Sequence, residues 1–170
     1  MNYIIDRVED HEYYHDIFIK NLSYVFEEFE QPWEKCNCKT LNYKNKNNIM
    51  KILTDEFIQF SNVNDIVNSH YNKNIRDSRV WLNRYDRGEF QEPHDHTGSK
   101  RFPDLSFVYF LKISEGSHCF NFCDKDGNNK KYINETSGDL LIFDPSLHHS
   151  VDPNKSDDYR YTIAGNLYLK

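Results

Sequence analysis

Apolar positions along this chain change their period once, close to residue 76. From Glu9 to Phe29 they recur at steps of three and four, at Tyr14, Ile17, Phe18, Leu22, Val25, Phe26 and Phe29. That spacing belongs to a helix with one buried face, and Pro32 marks where it must have ended. A second helix is predicted over residues 49–60, with Ile49, Ile52, Leu53, Phe57 and Phe60 toward the core, and a third, short one over 62–71. Residues 2–8 read as a leading strand, and 35–48 as a polar, basic strand or loop ending in a tip. His11 and His15 stand at i, i+4 near the first helix start, but no third ligand accompanies them, so both are read as surface residues, and His70 as a surface or packing residue.

Beyond Arg76 short alternating segments take over, with turn residues at intervals of roughly ten: Asp86-Arg87-Gly88, Gly98-Ser99, Glu115-Gly116, Asp126-Gly127-Asn128, Ser137-Gly138-Asp139 and Pro153-Asn154. About eight strands are predicted, and Asp126-Gly127-Asn128-Asn129 reads as a hairpin loop. The expected fold is mainly β with N-terminal helices, a double-stranded β-helix or cupin-like jelly roll. At 170 residues one domain is expected, with 1–75 as helical support and 76–170 as the β core. Composition sharpens this: aromatics reach 15% against a single alanine, Ala164, so the core is expected to be built from rings.

A net charge of -6 argues against a broad nucleic-acid footprint. No run of about 18 apolar residues predicts a membrane span, and the N-terminal residues MNYIIDRVEDHEYYHD lack the regions of a secretory signal. A soluble, cytoplasmic protein is expected, with Cys36, Cys38, Cys119 and Cys123 as reduced thiols. Neither cysteine spacing is the C-x-x-C of a zinc knuckle.

Candidate chemistry centres on WLNRYDRGEFQEPHDH, residues 81–96, read as a strand, a turn and a second strand running into Pro93-His94-Asp95-His96. Side chains at i and i+2 of an extended segment share a side, so His94 and His96 are expected to converge as two metal ligands. His149 lies 53 residues beyond His96, and Arg160 eleven beyond His149. In the strand 159–169, Arg160, Thr162, Ala164 and Asn166 share one face, while Tyr161, Ile163, Leu167 and Leu169 take the other, toward the helices. An arginine among small residues facing a barrel interior needs an anion, and its planar fork suits a carboxylate. The competing structural readings are three unrelated histidines around a polar cavity and an Arg160 salt bridge to an Asp or Glu.

The segments WLNRYDRGEFQEPHDH, LSFVYFLK, GDLLIFDPSLHHSVDP and YRYTIAGN, in this order over residues 79–168, resemble the motifs of the 2-oxoglutarate and Fe(II)-dependent oxygenase superfamily, closest to its small bacterial and phage branch related to prolyl hydroxylases. The resemblance implies a double-stranded β-helix holding Fe(II), with His94 and His149 as metal histidines and Arg160 gripping the far carboxylate of 2-oxoglutarate. Tyr85 falls where relatives place a hydroxyl near the cosubstrate, and Asn83, Ser106 and Asn166 match polar positions facing the cavity. The implied reaction consumes O2 and 2-oxoglutarate, releases succinate and CO2, and oxidises a C–H bond of a substrate, with no residue beyond the metal site acting as acid or base. Where the superfamily has Asp or Glu two residues after the first histidine, this chain has His96. We take His96 as the third ligand, with Asp95 or water as the alternatives. Phe110 stands where prolyl hydroxylases often have a cosubstrate-binding tyrosine, and Tyr109 faces the other way.

Two other functions fit the same residues: a three-histidine cupin dioxygenase acting without a cosubstrate, and a non-catalytic jelly-roll binding module. Substrate choice is expected to rest on loops at the barrel mouth, residues 98–103 and the 30s to 40s, where Lys100 and Arg101 form a basic loop. The substrate itself, whether a small molecule or a peptidyl side chain, is not written in the sequence.

Overall fold

A computed structural model describes residues 3–34, 36–41, 48–98, 100–114 and 118–170. The expected turn at Glu115-Gly116, part of that at Gly98-Ser99, and most of the tip in 35–48 lie outside the described residues. Strand β1 (Tyr3–Arg7) leads into helix α1 (His11–Leu22), and β2 (Lys39–Leu41) precedes helices α2 (Ile49–Phe60) and α3 (Val63–Tyr71). Eight further strands follow: β3 (Ile75–Tyr85), β4 (Gln91–His94), β5 (Leu105–Lys112), β6 (Phe120–Phe122), β7 (Lys131–Tyr132), β8 (Asp139–Phe143), β9 (His149–Val151) and β10 (Arg160–Leu169). They form a six-stranded sheet in the order β1-β8-β5-β10-β3-β2 and a four-stranded sheet in the order β4-β9-β6-β7, with antiparallel pairings throughout.

The larger sheet is buried on both faces, which is why its central strands read as continuous apolar runs. On β5, Phe107, Tyr109 and Leu111 pack with Phe18, Leu53, Phe57 and Val67 of the helices, whereas Val108 and Phe110 join the cluster between the sheets. The same parity holds on β8, with Leu140 and Ile142 against the helices and Leu141 and Phe143 inward. On β10, Tyr161, Ile163, Leu167 and Leu169 take the helix side and Ala164 the inner side. Gly165 sits where a Cβ would lie 2.5 Å from the Arg79 carbonyl and 2.7 Å from the Phe107 ring, so no side chain fits there. Rings close the inner layer: Phe122 and Phe143, from opposite sheets, have centroids 5.5 Å apart.

Several local expectations differ from the structure. The first helix ends at Leu22 rather than running to Phe29, because the Asn21 and Ser23 side chains donate to the Ile17 and Lys20 carbonyls and the chain tightens into i−3 bonds. Val25 and Phe29 are buried all the same, from the segment that follows. The buried face of α2 is Met50, Leu53, Thr54, Phe57 and Ile58, leaving Ile49, Ile52 and Phe60 exposed. Both stripes have helical spacing and share Leu53 and Phe57. Thr54 enters the core because its hydroxyl donates to the Lys51 carbonyl at 2.9 Å. His11 is buried, not a surface residue, and its Nδ1 shares a 2.6 Å hydrogen bond with the Tyr109 hydroxyl. The loop between β6 and β7 is a hairpin, with Gly127 and Asn129 at positive φ of 79° and 54°. Among the described residues no helix is long and apolar enough to cross a membrane.

Candidate metal centre and its pocket

The smaller sheet brings two histidines face to face: β4 and β9 pair with His94 opposite His149. His96 lies past the end of β4 rather than within it, in a bend whose backbone N–H donates to the Pro145 carbonyl at 2.9 Å. This tie to the turn after β8 aims His96, and the simple alternation expected of an extended segment does not. The three rings still converge, with centroids 5.6 Å apart for His94 and His96, 4.2 Å for His94 and His149, and 5.2 Å for His96 and His149. One ring nitrogen from each lies within 4.8 Å of the others.

The hydrogen bonds behind the rings fix which nitrogen is offered. His94 Nδ1 lies 2.8 Å from the Glu92 carbonyl and His149 Nδ1 2.9 Å from the Leu147 carbonyl. A carbonyl only accepts, so both imidazoles carry their hydrogen on Nδ1 and present the Nε2 lone pair. His96 Nδ1 lies 2.6 Å from Asn166 Oδ1 and 2.8 Å from Ser106 Oγ, and Ser106 in turn donates to Asn166 Oδ1 at 3.0 Å. Burial holds all three imidazoles below the usual histidine range: His96 is pushed down to about 4, and in His149 the two neighbouring rings add to the effect. Neutral rings are what a metal requires, and Phe120 and Phe143 flank His149 at 5.4 and 4.9 Å while Trp81 lies 5.7 Å from His96.

Asp95 is committed elsewhere: its Oδ1 accepts from the Thr97 N–H and hydroxyl at 2.9 and 2.7 Å, and its Oδ2 lies 3.5 Å from His148 Nε2. It is outside the three-histidine group. All four cysteines are free thiols, and the Cys36 and Cys38 sulfurs lie 3.4 Å apart.

A small cavity of about 30 Å³ opens beside the histidines, and Arg160, Tyr85, Asn83 and Thr162 also line it. Arg160 begins β10 opposite Tyr85 of β3; its guanidinium is buried, donates from Nη2 to the Cys119 sulfur, and lies 5.8 Å from the Tyr85 ring centroid. Burial raises the Tyr85 phenol well above its usual range, so it stays protonated and donates to Gln91 Oε1 at 2.9 Å. Asn83 accepts from Thr40 and donates to Thr162 across the β3–β10 pair, at 3.1 and 3.3 Å. Phe110 lines the same cavity, and Tyr109 points to the helices.

Of the cavity-facing residues expected from the sequence, Ser106 and Asn166 sit elsewhere. They pair across β5 and β10 directly behind His96. Asn166 also borders an open outer cleft of about 430 Å³, shared with Trp33, Trp81 and Arg79. Gln91 and Glu135, which carry no signal in the sequence, line the inner cavity.

A family model described as the 2OG-Fe(II) oxygenase superfamily matches residues 80–168, just over half of the chain. The chain belongs to the 2-oxoglutarate and Fe(II)-dependent oxygenase superfamily. It is therefore an oxidoreductase whose cofactor is Fe(II) and whose cosubstrate is 2-oxoglutarate, which sets aside the cosubstrate-free cupin and the non-catalytic module. Comparison with curated protein sequences gave no match. Among solved structures the oxygenase fold resembles a Pseudomonas putida prolyl-4-hydroxylase at TM-score 0.69 and 14% identity, covering 98% of this chain and 91% of that one. It resembles the viral collagen prolyl hydroxylase of Paramecium bursaria Chlorella virus-1, determined with 2-oxoglutarate, at TM-score 0.66 and 15% identity, covering 98% and 96%. The α-ketoglutarate-dependent epimerase SnoN of nogalamycin biosynthesis aligns at TM-score 0.75 and 9% identity, covering 96% and 76%.

Proposed function

We propose that this oxygenase oxidises a C–H bond of its substrate, in the simplest case to C–OH, while 2-oxoglutarate and O2 are converted to succinate and CO2. One oxygen atom enters the substrate and the other enters succinate, so no further reductant is needed. His94, His96 and His149 would hold Fe(II), and Arg160 the far carboxylate of 2-oxoglutarate. The observation that carries this reading is one cavity holding three neutral imidazoles, each locked by its Nδ1 partner, together with a buried arginine. When bound, iron and 2-oxoglutarate supply the oxygen activation. Imidazole donors whose Nδ1 hydrogens are held by carbonyl oxygens fit Fe(II).

The chain's own groups bind and orient. Arg160 offers two parallel N–H donors to a carboxylate, and the protonated Tyr85 hydroxyl in the same cavity would turn its single proton from Gln91 Oε1 to that carboxylate. Phe110, Phe120 and Val151 line the cavity and limit water. The outer cleft with Trp33, Trp81, Arg79 and Asn83 adjoins His94 and His96, and is where a substrate would meet the metal.

Succinate formation tests the proposal. Protein supplied with Fe(II), 2-oxoglutarate and air should release succinate even without its substrate, through slow uncoupled turnover, and His149→Ala should reduce this to the protein-free background. Equal succinate from the wild type and His149→Ala would refute it.

A further inference from the structure

Glu135 is a buried carboxyl in the inner cavity that the proposed chemistry does not use. It follows β7, and its Oε1 accepts the backbone N–H groups of Cys119 and Phe120 at 2.7 and 2.9 Å. Its Oε2 is buried and has no hydrogen-bond partner. Cys119 joins it to Arg160: the amide of Cys119 binds Glu135 and its sulfur accepts from the guanidinium. Glu135 and Arg160 thus line one cavity and share Cys119, and Glu135 keeps a buried oxygen without a hydrogen bond.

We propose that Glu135 is a second cosubstrate-positioning residue: its carboxyl, kept neutral, donates the Oε2 proton to the same far carboxylate of 2-oxoglutarate that Arg160 binds. This rests on the reading of the site given above. The charge count supports it. Arg160 and the far carboxylate cancel, whereas an ionised Glu135 would add a second, uncompensated anion out of water. A protonated carboxyl has one donor to place, and a carboxylate is the acceptor that makes the strongest such bond. The oxygen already holding two amide N–H groups has no need of the proton, which leaves it for Oε2. Burial is the largest influence on Glu135 and raises its pKa, against the opposing pull of the two amides and of Arg160. The ionisable groups that share its cavity or approach it include Arg160 from β10, Tyr85 from β3, the three histidines, and His118, whose Nδ1 lies 3.9 Å from Oε2.

The test is the affinity of the anaerobic Fe(II)-loaded protein for 2-oxoglutarate, by calorimetry, in wild type, Glu135→Gln and Glu135→Leu, from about pH 5.5 to about pH 9. Glutamine keeps the acceptor for both amides and a donor toward the cosubstrate, so it guards against a variant that fails to fold. The wild type should lose affinity as pH rises through the Glu135 pKa, taking up a proton on binding. Glu135→Gln should remove that slope and stay within about threefold of the wild-type value at the acid end, while Glu135→Leu should bind about tenfold or more weakly there. Leucine binding as tightly as wild type, or the slope persisting in Glu135→Gln, would overturn the proposal. Glutamine binding more tightly than wild type at every pH would mean an ionised Glu135 that opposes the cosubstrate, and would overturn it too. If the wild type binds iron but no 2-oxoglutarate, the reading of the site and this proposal fall together. If the wild type binds and all three proteins match, only the role of Glu135 falls.

Discussion

Replacing Asn166 by alanine should weaken iron binding although Asn166 offers the metal no atom. Its Oδ1 accepts from His96 Nδ1 at 2.6 Å and so sets both the tautomer and the angle of that ring. Losing an outer-shell partner of a metal histidine typically lowers affinity about 10- to 100-fold, or about 1.4–2.7 kcal/mol. Ser106 tempers the loss: its hydroxyl lies 2.8 Å from the same nitrogen and can turn to accept from it once Asn166 is gone. Asn166→Ala should therefore fall near the lower figure, about tenfold, and the Ser106→Ala/Asn166→Ala pair near about 100-fold. Ser106→Ala alone leaves the Asn166 acceptor in place and should cost about threefold or less, so the effects will not add. Anaerobic competition for Fe(II) against a chromophoric chelator measures all four proteins, with thermal melts to confirm folding. Folded single and double variants that bind iron like the wild type would refute the reasoning, because His96 would then not be an oriented ligand.

Two further predictions concern the scaffold. His11 is buried against Tyr109, and burial, aided by Arg7, lowers its pKa in the folded protein. The unfolded chain therefore takes up a proton that the folded one resists: stability holds above about pH 6.5 and declines as pH falls from there toward the lower folded value. The three histidines of the candidate metal centre shift the same way in iron-free protein, so the measurement is the stability of wild type relative to His11→Gln in urea melts: the wild type should lose ground to the variant as pH falls, and a constant difference would count against it. Phe57 packs between Tyr14, Phe18 and Tyr109, with the Tyr109 ring stacked at 4.7 Å, so Phe57→Ala should lose about 3–5 kcal/mol in the same melts. A loss below about 1 kcal/mol would mean that the helices contribute little to holding the sheet.

Strand parity made much of the site legible. Because β10 alternates strictly, the sequence alone separates Arg160, Thr162, Ala164 and Asn166 from the residues that meet the helices, and the structure keeps that division. Parity gives a face but not a partner. It placed Ser106 and Asn166 on the inner side without showing that they end at His96 instead of in the inner cavity. His96 itself was aimed by a backbone bond to Pro145, a contact between segments far apart in sequence that no local period encodes. The helices show the same limit. Two apolar stripes on α2 satisfied the helical spacing equally, and a satisfied Thr54 hydroxyl decided between them. Glu135 left no trace in the sequence because its environment comes from β6 and β10, not from its neighbours.

The most direct test of the three-histidine, Arg160 site is an anaerobic titration of the iron-free protein with Fe(II) and then 2-oxoglutarate, followed by the visible charge-transfer band of a metal-chelated 2-oxo acid. The wild type should develop the band, Arg160→Ala should need about 100-fold more 2-oxoglutarate to reach it, and His149→Ala should give no band at any concentration. Iron bound without a band in the wild type, or a band that persists in His149→Ala, would contradict the account.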